Sequence, residues 1–155
     1  MAAAVKSTKF TAWSARKHRR WVHPGLFAAE SKVPGAGTGV FAAWDLPKHT
    51  HLGYYCGRVH WTYPQRNKRN WVYMLALARR PPWIAREVWR AKKRRGQTPC
   101  VDGVGILSQC NCHHGGYVQN ADFNATGRFY TLRHVKAGQE ILVNYGEEYW
   151  ESRET

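Results

Sequence analysis

Short apolar runs separated by polar turns make up most of the hydrophobic pattern along this chain. Runs that are rich in aromatic and β-branched side chains and are bounded by glycine or proline predict β-strands. Such runs lie at 26–28, 40–44, 52–59, 71–77, 128–132 and 141–144, and a shorter one lies within 98–107. The pattern therefore predicts a domain built mainly from short strands.

One segment has helical periodicity instead. Two prolines open it at 81–82, and Ile84, Val88 and Ala91 fall on one face of a helix over 82–95. Its last turn carries cations at the negative helix pole and a glycine follows as a stop signal. Residues 110–127 have no periodicity and predict a long loop. Strands, one helix and long loops together predict a β-rich α+β fold.

The charge of the chain adds an expectation about partners. The 155 residues include 24 Lys and Arg against 10 Asp and Glu, a net charge of +14. Charge of this size predicts an anionic partner, and we expect a nucleosome or DNA rather than a membrane. No stretch approaches the roughly 18 apolar residues of a membrane span, and the N-terminus lacks the apolar core of a secretory signal.

Two segments hold much of this positive charge. Residues 1–24 carry six Lys and Arg and no acid, which predicts a basic arm ahead of a domain over 25–155. Residues 79–95 carry eight Lys and Arg and one Glu, and we interpret about 79–96 as a basic insertion. Both segments could dock on DNA phosphates; the alternative for the second is a solvated helix face.

The four cysteines do not form the two close pairs typical of a structural zinc site. Cys110 and Cys112 form one C-x-C pair, followed by His113 and His114. A metal site there is the alternative, but adjacent histidines rarely share one ion in a relaxed geometry. We therefore predict reduced thiols, a flexible loop and no metal requirement.

Four motifs occur in a fixed order along the chain. They are Gly35-x-Gly37-x-Gly39, Tyr55-x-Gly57, Asn111 followed by Asn120-Ala121, and Gly138-x-Glu140-Ile-Leu-x-Asn-Tyr145-Gly146. Over roughly 26–150 the chain resembles the SET-domain protein lysine methyltransferases, and its ending is most similar to the compact viral-type members without zinc-binding flanks. The resemblance implies small sheets around a C-terminal pseudoknot, S-adenosyl-L-methionine as cofactor and a basic lysine-containing peptide as substrate.

The resemblance also implies roles for individual residues. Tyr145 is the catalytic residue, and Tyr55 and Tyr149 line the substrate channel. The implied cofactor-binding residues are Gly37, Thr38, Gly39, Tyr73, Asn111, Cys112, Tyr145 and Trp150. The chain departs from the family pattern at Cys112, where a histidine is expected unless His113 takes its place by a shift of register. It also has Gln119 for a proline and Asn144 for an aspartate.

The proposed chemistry explains why tyrosines suit such a site. A lysine amine must be neutral to accept a methyl group, and with a reference pKa near 10.4 only about one lysine in a few thousand is neutral at pH 7. A nearby sulfonium cation and partial desolvation both lower that pKa. Tyrosine gives an apolar, uncharged wall with one hydroxyl, and Glu147, Glu148 and Glu151 could attract a basic peptide.

We therefore expect a nuclear, chromatin-associated methyltransferase that acts on a histone tail. Two alternatives stay open: a SET fold that binds chromatin without efficient catalysis, and a methyltransferase of a non-histone protein. Compact members of the family can pair through their surfaces, so a homodimer is also open.

Overall fold

The computed structural model describes residues 21–61 and 74–145. Within these ranges the chain forms ten strands, one α-helix and one 3₁₀ helix. The strands are β1 (Leu26–Glu30), β2 (Thr38–Ala42), β3 (His51–Tyr54), β4 (Gly57–His60), β5 (Met74–Ala76), β6 (Cys100–Gly103), β7 (Asn111–Cys112), β8 (Ala121–Phe123), β9 (Arg128–Thr131) and β10 (Leu142–Val143). The α-helix is α1 (Arg86–Arg94), and the 3₁₀ helix is Ile106–Gln109.

The strands form four small sheets. β1 pairs with β2, and β7 pairs with β10 in parallel; the two larger sheets have the orders β3–β9–β8 and β4–β6–β5. This confirms the predicted β-rich α+β fold of small sheets with one helix. No helix in the described part of the chain is long and apolar enough to cross a bilayer.

The chain divides into two compact units. Among the described residues, the first unit comprises 21–24, 51–61, 74–108 and 123–129. The second unit comprises 25–50, 109–122 and 130–145.

The core of the first unit is aromatic and aliphatic. Tyr55 is buried and stacks on Phe129 with ring centroids 5.7 Å apart, and Phe123 lies 5.2 Å from Phe129. A side chain at Gly103 would collide with the ring of Tyr55, so this position of β6 needs a glycine. Val101, in the middle strand of the β4–β6–β5 sheet, is fully buried.

The last residues of the predicted basic arm pack on this unit. Val22 forms an antiparallel bridge with Gly53, and the His23 amide donates to the Leu52 carbonyl at 2.9 Å. The Trp21 ring stacks on His51 at 5.2 Å. Residues 1–20 of the arm lie outside the described residues.

The second unit is built around the β1–β2 hairpin. Residues Leu26 to Glu30 pair with Ala42 to Thr38, and the β2 residue Phe41 bridges to Glu140. Fully buried aliphatic side chains fill its core, namely Val40, Leu46, Val135, Ile141 and Val143. The buried Thr131 hydroxyl donates to the Pro47 carbonyl at 2.7 Å and accepts the Thr50 amide at 2.8 Å. Its polar atom is thereby satisfied inside the core.

Three secondary-structure predictions need correction. The run 52–59 is two strands rather than one, and the Tyr55 amide between them bonds to the Gly127 carbonyl at 2.7 Å. The predicted loop 110–127 contains the short strands β7 and β8.

The helix prediction over 82–95 began too early. Helix α1 begins at Arg86, because the prolines form a separate turn in which the Ile84 amide bonds to the Pro81 carbonyl at 3.2 Å. The Arg80 guanidinium donates to the Ile84 carbonyl at 2.9 Å and holds this turn. Ile84 is buried ahead of the helix, so it does not share a face with Val88 and Ala91.

Candidate active site

The glycine-rich segment forms the loop of the β1–β2 hairpin. The Ser31 amide donates to the Gly37 carbonyl at 2.7 Å, and the Ala36 amide to the Val33 carbonyl at 3.1 Å. Gly35 and Gly37 have φ angles of 76° and 73°, a left-handed conformation that glycine adopts without steric cost. The loop therefore leads into β2, which overlaps the strand that the sequence predicted at 40–44.

A buried carboxylate lies beside this loop. Glu140 is 7% exposed and accepts hydrogen bonds from the Ser31 hydroxyl at 2.8 Å, the Lys32 amide at 2.9 Å and the Asn111 side chain at 3.2 Å. Burying a carboxylate is costly unless donors replace its water. Three donors from two separate segments do so here, and Glu140 therefore ties the hairpin to β7.

Gly39 gives Glu140 the space that it occupies. A Cβ at position 39 would lie 2.6 Å from Oε2 of Glu140 and 3.2 Å from Nδ2 of Asn111. Any side chain here would force both groups to move. The glycine is thus required by packing at the site.

Asn111 is oriented by two acceptors. Its Nδ2 donates to the Thr38 carbonyl at 3.0 Å and to Oε2 of Glu140 at 3.2 Å. Since both neighbours are acceptors, the amide nitrogen must face them, which fixes the rotation of the carboxamide. Its Oδ1 therefore faces away from them, where it can accept a hydrogen bond from an ammonium group.

Tyr145 follows β10 and is held by the neighbouring segment 110–112. The parallel pairing places Val143 opposite Cys112. Two residues later the Tyr145 amide donates to Sγ of Cys112 at 3.3 Å, and its hydroxyl donates to the Cys110 carbonyl. Toward any further group the phenolic oxygen therefore acts as an acceptor. The thiol of Cys112, at the position where a histidine was expected, serves as an acceptor for the backbone of the tyrosine.

Cys110 is a buried, protonated thiol. Burial is the larger cause and the nearby charge of Glu140 the smaller one, and together they raise the pKa of this thiol to about 12. Because nucleophiles and metal ligands need the thiolate, Cys110 is poorly suited to either role. The described residues contain no group of three or more His, Cys, Asp or Glu that could hold a metal ion. That the protein needs no zinc stays a prediction, to be checked by elemental analysis.

The structure gathers six of the predicted site residues in the second unit. They are Gly37, Thr38, Gly39, Asn111, Cys112 and Tyr145. Tyr55 lies in the core of the first unit, and its role in a substrate channel stays a prediction. Tyr73, Tyr149 and Trp150 lie outside the described residues, and their roles also stay predictions.

The sequence motifs contained two further structural residues whose roles were not predicted. Glu140 organises the hairpin and β7, as described above. The carboxamide of Asn120 is buried, donates to the Glu140 carbonyl at 2.8 Å and accepts the Leu142 amide at 2.8 Å. It thereby holds the start of β10 in place. An acid directly before a buried apolar run, as at Glu140, was the available signal.

Comparison with known proteins agrees with this architecture. The SET domain family model matches residues 37–146. The methyltransferase domain of human PR domain-containing protein 2 is 20% identical, with a TM-score of 0.56 over 86% of this chain and 85% of that chain. A Plasmodium falciparum protein described as a candidate histone methyltransferase is 15% identical, with a TM-score of 0.51 over 83% of this chain and 99% of that chain.

No curated protein sequence matches the chain. The two solved structures share its fold and come from human and Plasmodium falciparum, so the closer resemblance to viral-type members stays a prediction. The family model covers β2, β7 and the tyrosine that follows β10. The chain belongs to the SET domain family.

Proposed function

We propose that this protein is an S-adenosyl-L-methionine-dependent protein-lysine N-methyltransferase. The observation that carries the proposal is the fixed arrangement of Asn111 and Tyr145 about the β7–β10 pair. Glu140 sets the orientation of the first, and Cys110 and Cys112 hold the second. Positioning of this kind is what methyl transfer requires, since alignment alone can supply about 7–11 kcal/mol of the barrier.

The residues present fit the amino-acid part of the cofactor. Its ammonium group needs acceptors, and Oδ1 of Asn111 is one whose direction is fixed. Thr38 is exposed at the start of β2, next to Gly39, where the hairpin backbone can approach a ligand. When bound, the cofactor supplies a methyl group carried on a positively charged sulfur. In this proposal Trp150 covers the adenine and Tyr73 contributes to the same pocket.

Tyr145 has a role on the substrate side. Its hydroxyl proton is engaged by the Cys110 carbonyl, so the oxygen offers lone pairs to an incoming amine. An amine N–H that donates to this oxygen is oriented, and it stays uncharged more readily where water is excluded. In this proposal Tyr149 adds a further apolar wall for the lysine side chain.

A histone tail is the substrate that we favour. The chain carries a net charge of +14, which suits a protein working beside DNA, and this also supports a nuclear location. Five of its ten acids lie at 140–155, and four of them follow Tyr145 closely enough to attract a basic peptide. The fold neighbour from Plasmodium falciparum is itself described as a candidate histone methyltransferase.

The proposal is tested by incubating the full chain with isotope-labelled S-adenosyl-L-methionine and a panel of substrates. The panel comprises core histones, reconstituted nucleosomes and a basic non-histone protein, with labelled lysines located by mass spectrometry. Labelled lysine in a histone tail is the expected result. Label only in the non-histone protein would favour the second alternative. Binding of the cofactor without transfer to any member of the panel would favour a catalytically weak chromatin-binding module.

A further inference from the structure

Helix α1 is highly charged, and burial of its side chains does not explain its stability. None of its nine residues is buried, and Val88 is 46% exposed. Most helices in globular proteins gain their stability by burying an apolar face. This one has Glu87 in its first turn and cations in its last turn, which favour the helix through its dipole but give it no core contact. Its surface is therefore available to a partner.

The cations of α1 are arranged as a stripe along the helix. Successive residues are rotated by about 100°, so positions i, i+4, i+7 and i+8 share one face. These positions are Arg86, Arg90, Lys93 and Arg94, which we call the basic stripe. Within the described residues none of the four forms an ion pair; the salt bridge found there joins His134 and Asp45. Four like charges on one face repel each other, and a bound anion would relieve this repulsion.

Two tryptophan rings contact lysines of α1: Lys93, which belongs to the stripe, and Lys92, which lies beside it. Trp61 and Trp89 meet edge to face with ring centroids 6.0 Å apart. Nζ of Lys93 lies 5.8 Å from the Trp89 centroid, and Nζ of Lys92 lies 5.9 Å from that of Trp61. Cation–π contacts of this kind restrict the lysine side chains. Each of these cations lies over one face of its ring, which reduces the ring surface that is open to stacking on bases.

We propose that the basic stripe of α1 binds the phosphate backbone of duplex DNA. Duplex DNA presents one negative charge per roughly 1.7 Å of its axis, a density that a row of cations can match. Three of the four stripe residues are arginines, whose planar guanidinium suits phosphate oxygens. Engaged tryptophan faces disfavour single strands, where bases stack on aromatic rings. The binding is sequence-independent and goes beyond the proposed methyl transfer, whose described cofactor-binding and catalytic residues belong to the second unit.

The test compares two variants of equal net charge. In the stripe variant Arg86, Arg90, Lys93 and Arg94 become alanine. In the control variant four other exposed cations, Lys48, Arg58, Arg133 and Lys136, become alanine. Alanine is the best helix former, so the stripe variant should keep α1, which circular dichroism verifies. Fluorescence anisotropy with a short random-sequence duplex then gives the affinity of each full chain over a salt series.

We expect the slope of log K against log salt to flatten by about 0.9 for each lost phosphate contact, or about 3.6 if all four are lost. The control variant should keep most of the wild-type slope. Equal flattening in both variants would overturn the proposal, since net charge rather than the stripe would then govern binding. Equal affinity of the wild type for duplex DNA and for polyglutamate would also overturn it, because the stripe would then be a general polyanion surface. Tighter binding to single strands than to duplex would overturn the choice of duplex.

Discussion

The carboxylate of Glu140 receives hydrogen bonds from Ser31, Lys32 and Asn111. Two of these donors belong to the hairpin loop and the third to β7. We therefore expect that neutralising this carboxylate alters both the orientation of Asn111 and the packing of the loop. Glu140 is therefore a positioning residue for the candidate cofactor site, although it need not touch the cofactor itself.

Replacing Glu140 by glutamine should weaken the site and the fold together. The amide nitrogen would face at least one of the three donors, and a buried unsatisfied group costs about 1–3 kcal/mol of unfolding free energy. We expect a loss of that size in urea unfolding and weaker calorimetric binding of S-adenosyl-homocysteine. The matched control is Glu30→Gln, because Glu30 is an exposed acid in the same unit. Equal behaviour of the two variants would show that Glu140 has no positioning role.

The raised pKa of Cys110 predicts protection from alkylation. With a pKa of about 12 instead of 9.0, its thiolate fraction at pH 8 is about a thousandfold below that of an ordinary thiol. Since the folded state holds the proton more tightly, the stability that this gives is present below pH 9 and is lost as the pH rises toward 12. Iodoacetamide labelling with peptide mapping should modify the half-buried Cys56 well before Cys110. Labelling of both at one rate in the native protein would contradict the assignment; labelling in denaturant is the positive control.

For individual residues of the candidate site, the sequence predicted some roles and missed others. Tyr145 and Asn111 could be predicted because each lies in a short motif whose spacing is visible along the chain. The role of Glu140 could not, because its bond to Ser31 joins positions 109 residues apart. The same holds for Cys112, whose thiol accepts a backbone amide 33 positions away. The acid directly before a buried run was visible at Glu140, but local sequence does not identify the distant partner in such donor–acceptor pairs.

Within the β1–β2 hairpin, the glycines are required for two different physical reasons. Gly35 and Gly37 have left-handed backbone angles with nothing within 4 Å of an added Cβ. Gly39 has no such angle, but a Cβ there would meet Glu140 and Asn111. The first reason concerns the turn, and the second concerns the site.

Alanine substitutions separate these two reasons. Gly39→Ala should cost about 1–3 kcal/mol through overpacking and should also weaken binding of S-adenosyl-homocysteine, because Glu140 and Asn111 must shift. Gly35→Ala should cost about 1–2 kcal/mol through backbone strain, with little change in that affinity. Thermal unfolding and calorimetry on both variants give the comparison. An unchanged affinity in Gly39→Ala would mean that this part of the hairpin does not shape the cofactor site.

The elements themselves were only partly predictable. The longer strands β1, β2 and β9 have enough residues to show a pattern, and the sequence predicted them. Strands β7 and β8 have two and three residues and are defined by pairing partners far along the chain, so the segment containing them was interpreted as a loop. Such short strands carry no periodicity of their own.

For the whole molecule, composition and hydrophobic pattern predict a β-rich α+β domain and an anionic partner, but not the family. The ordered set of motifs supplied the family, and the match over residues 37–146 confirms it. The division into two compact units has no sequence signal, because each unit is assembled from three separate segments. Much of the positive charge lies at 1–24 and 79–95, outside the motifs of the candidate site, so the proposed methyl transfer and the proposed DNA binding can be tested separately.

The central claim is that Tyr145 positions a lysine amine for methyl transfer. The most direct measurement is the rate of labelled methyl transfer to a lysine peptide by the wild type, Tyr145→Phe and Tyr117→Phe. Tyr117 is the matched control, because its hydroxyl also donates to a main-chain carbonyl in the second unit, that of Lys32 at 2.8 Å. We expect Tyr145→Phe to lower turnover by about 10²-fold or more, the scale of one positioned polar group, while Tyr117→Phe stays near the wild type. A folded Tyr145→Phe variant with the turnover of the wild type would contradict the account.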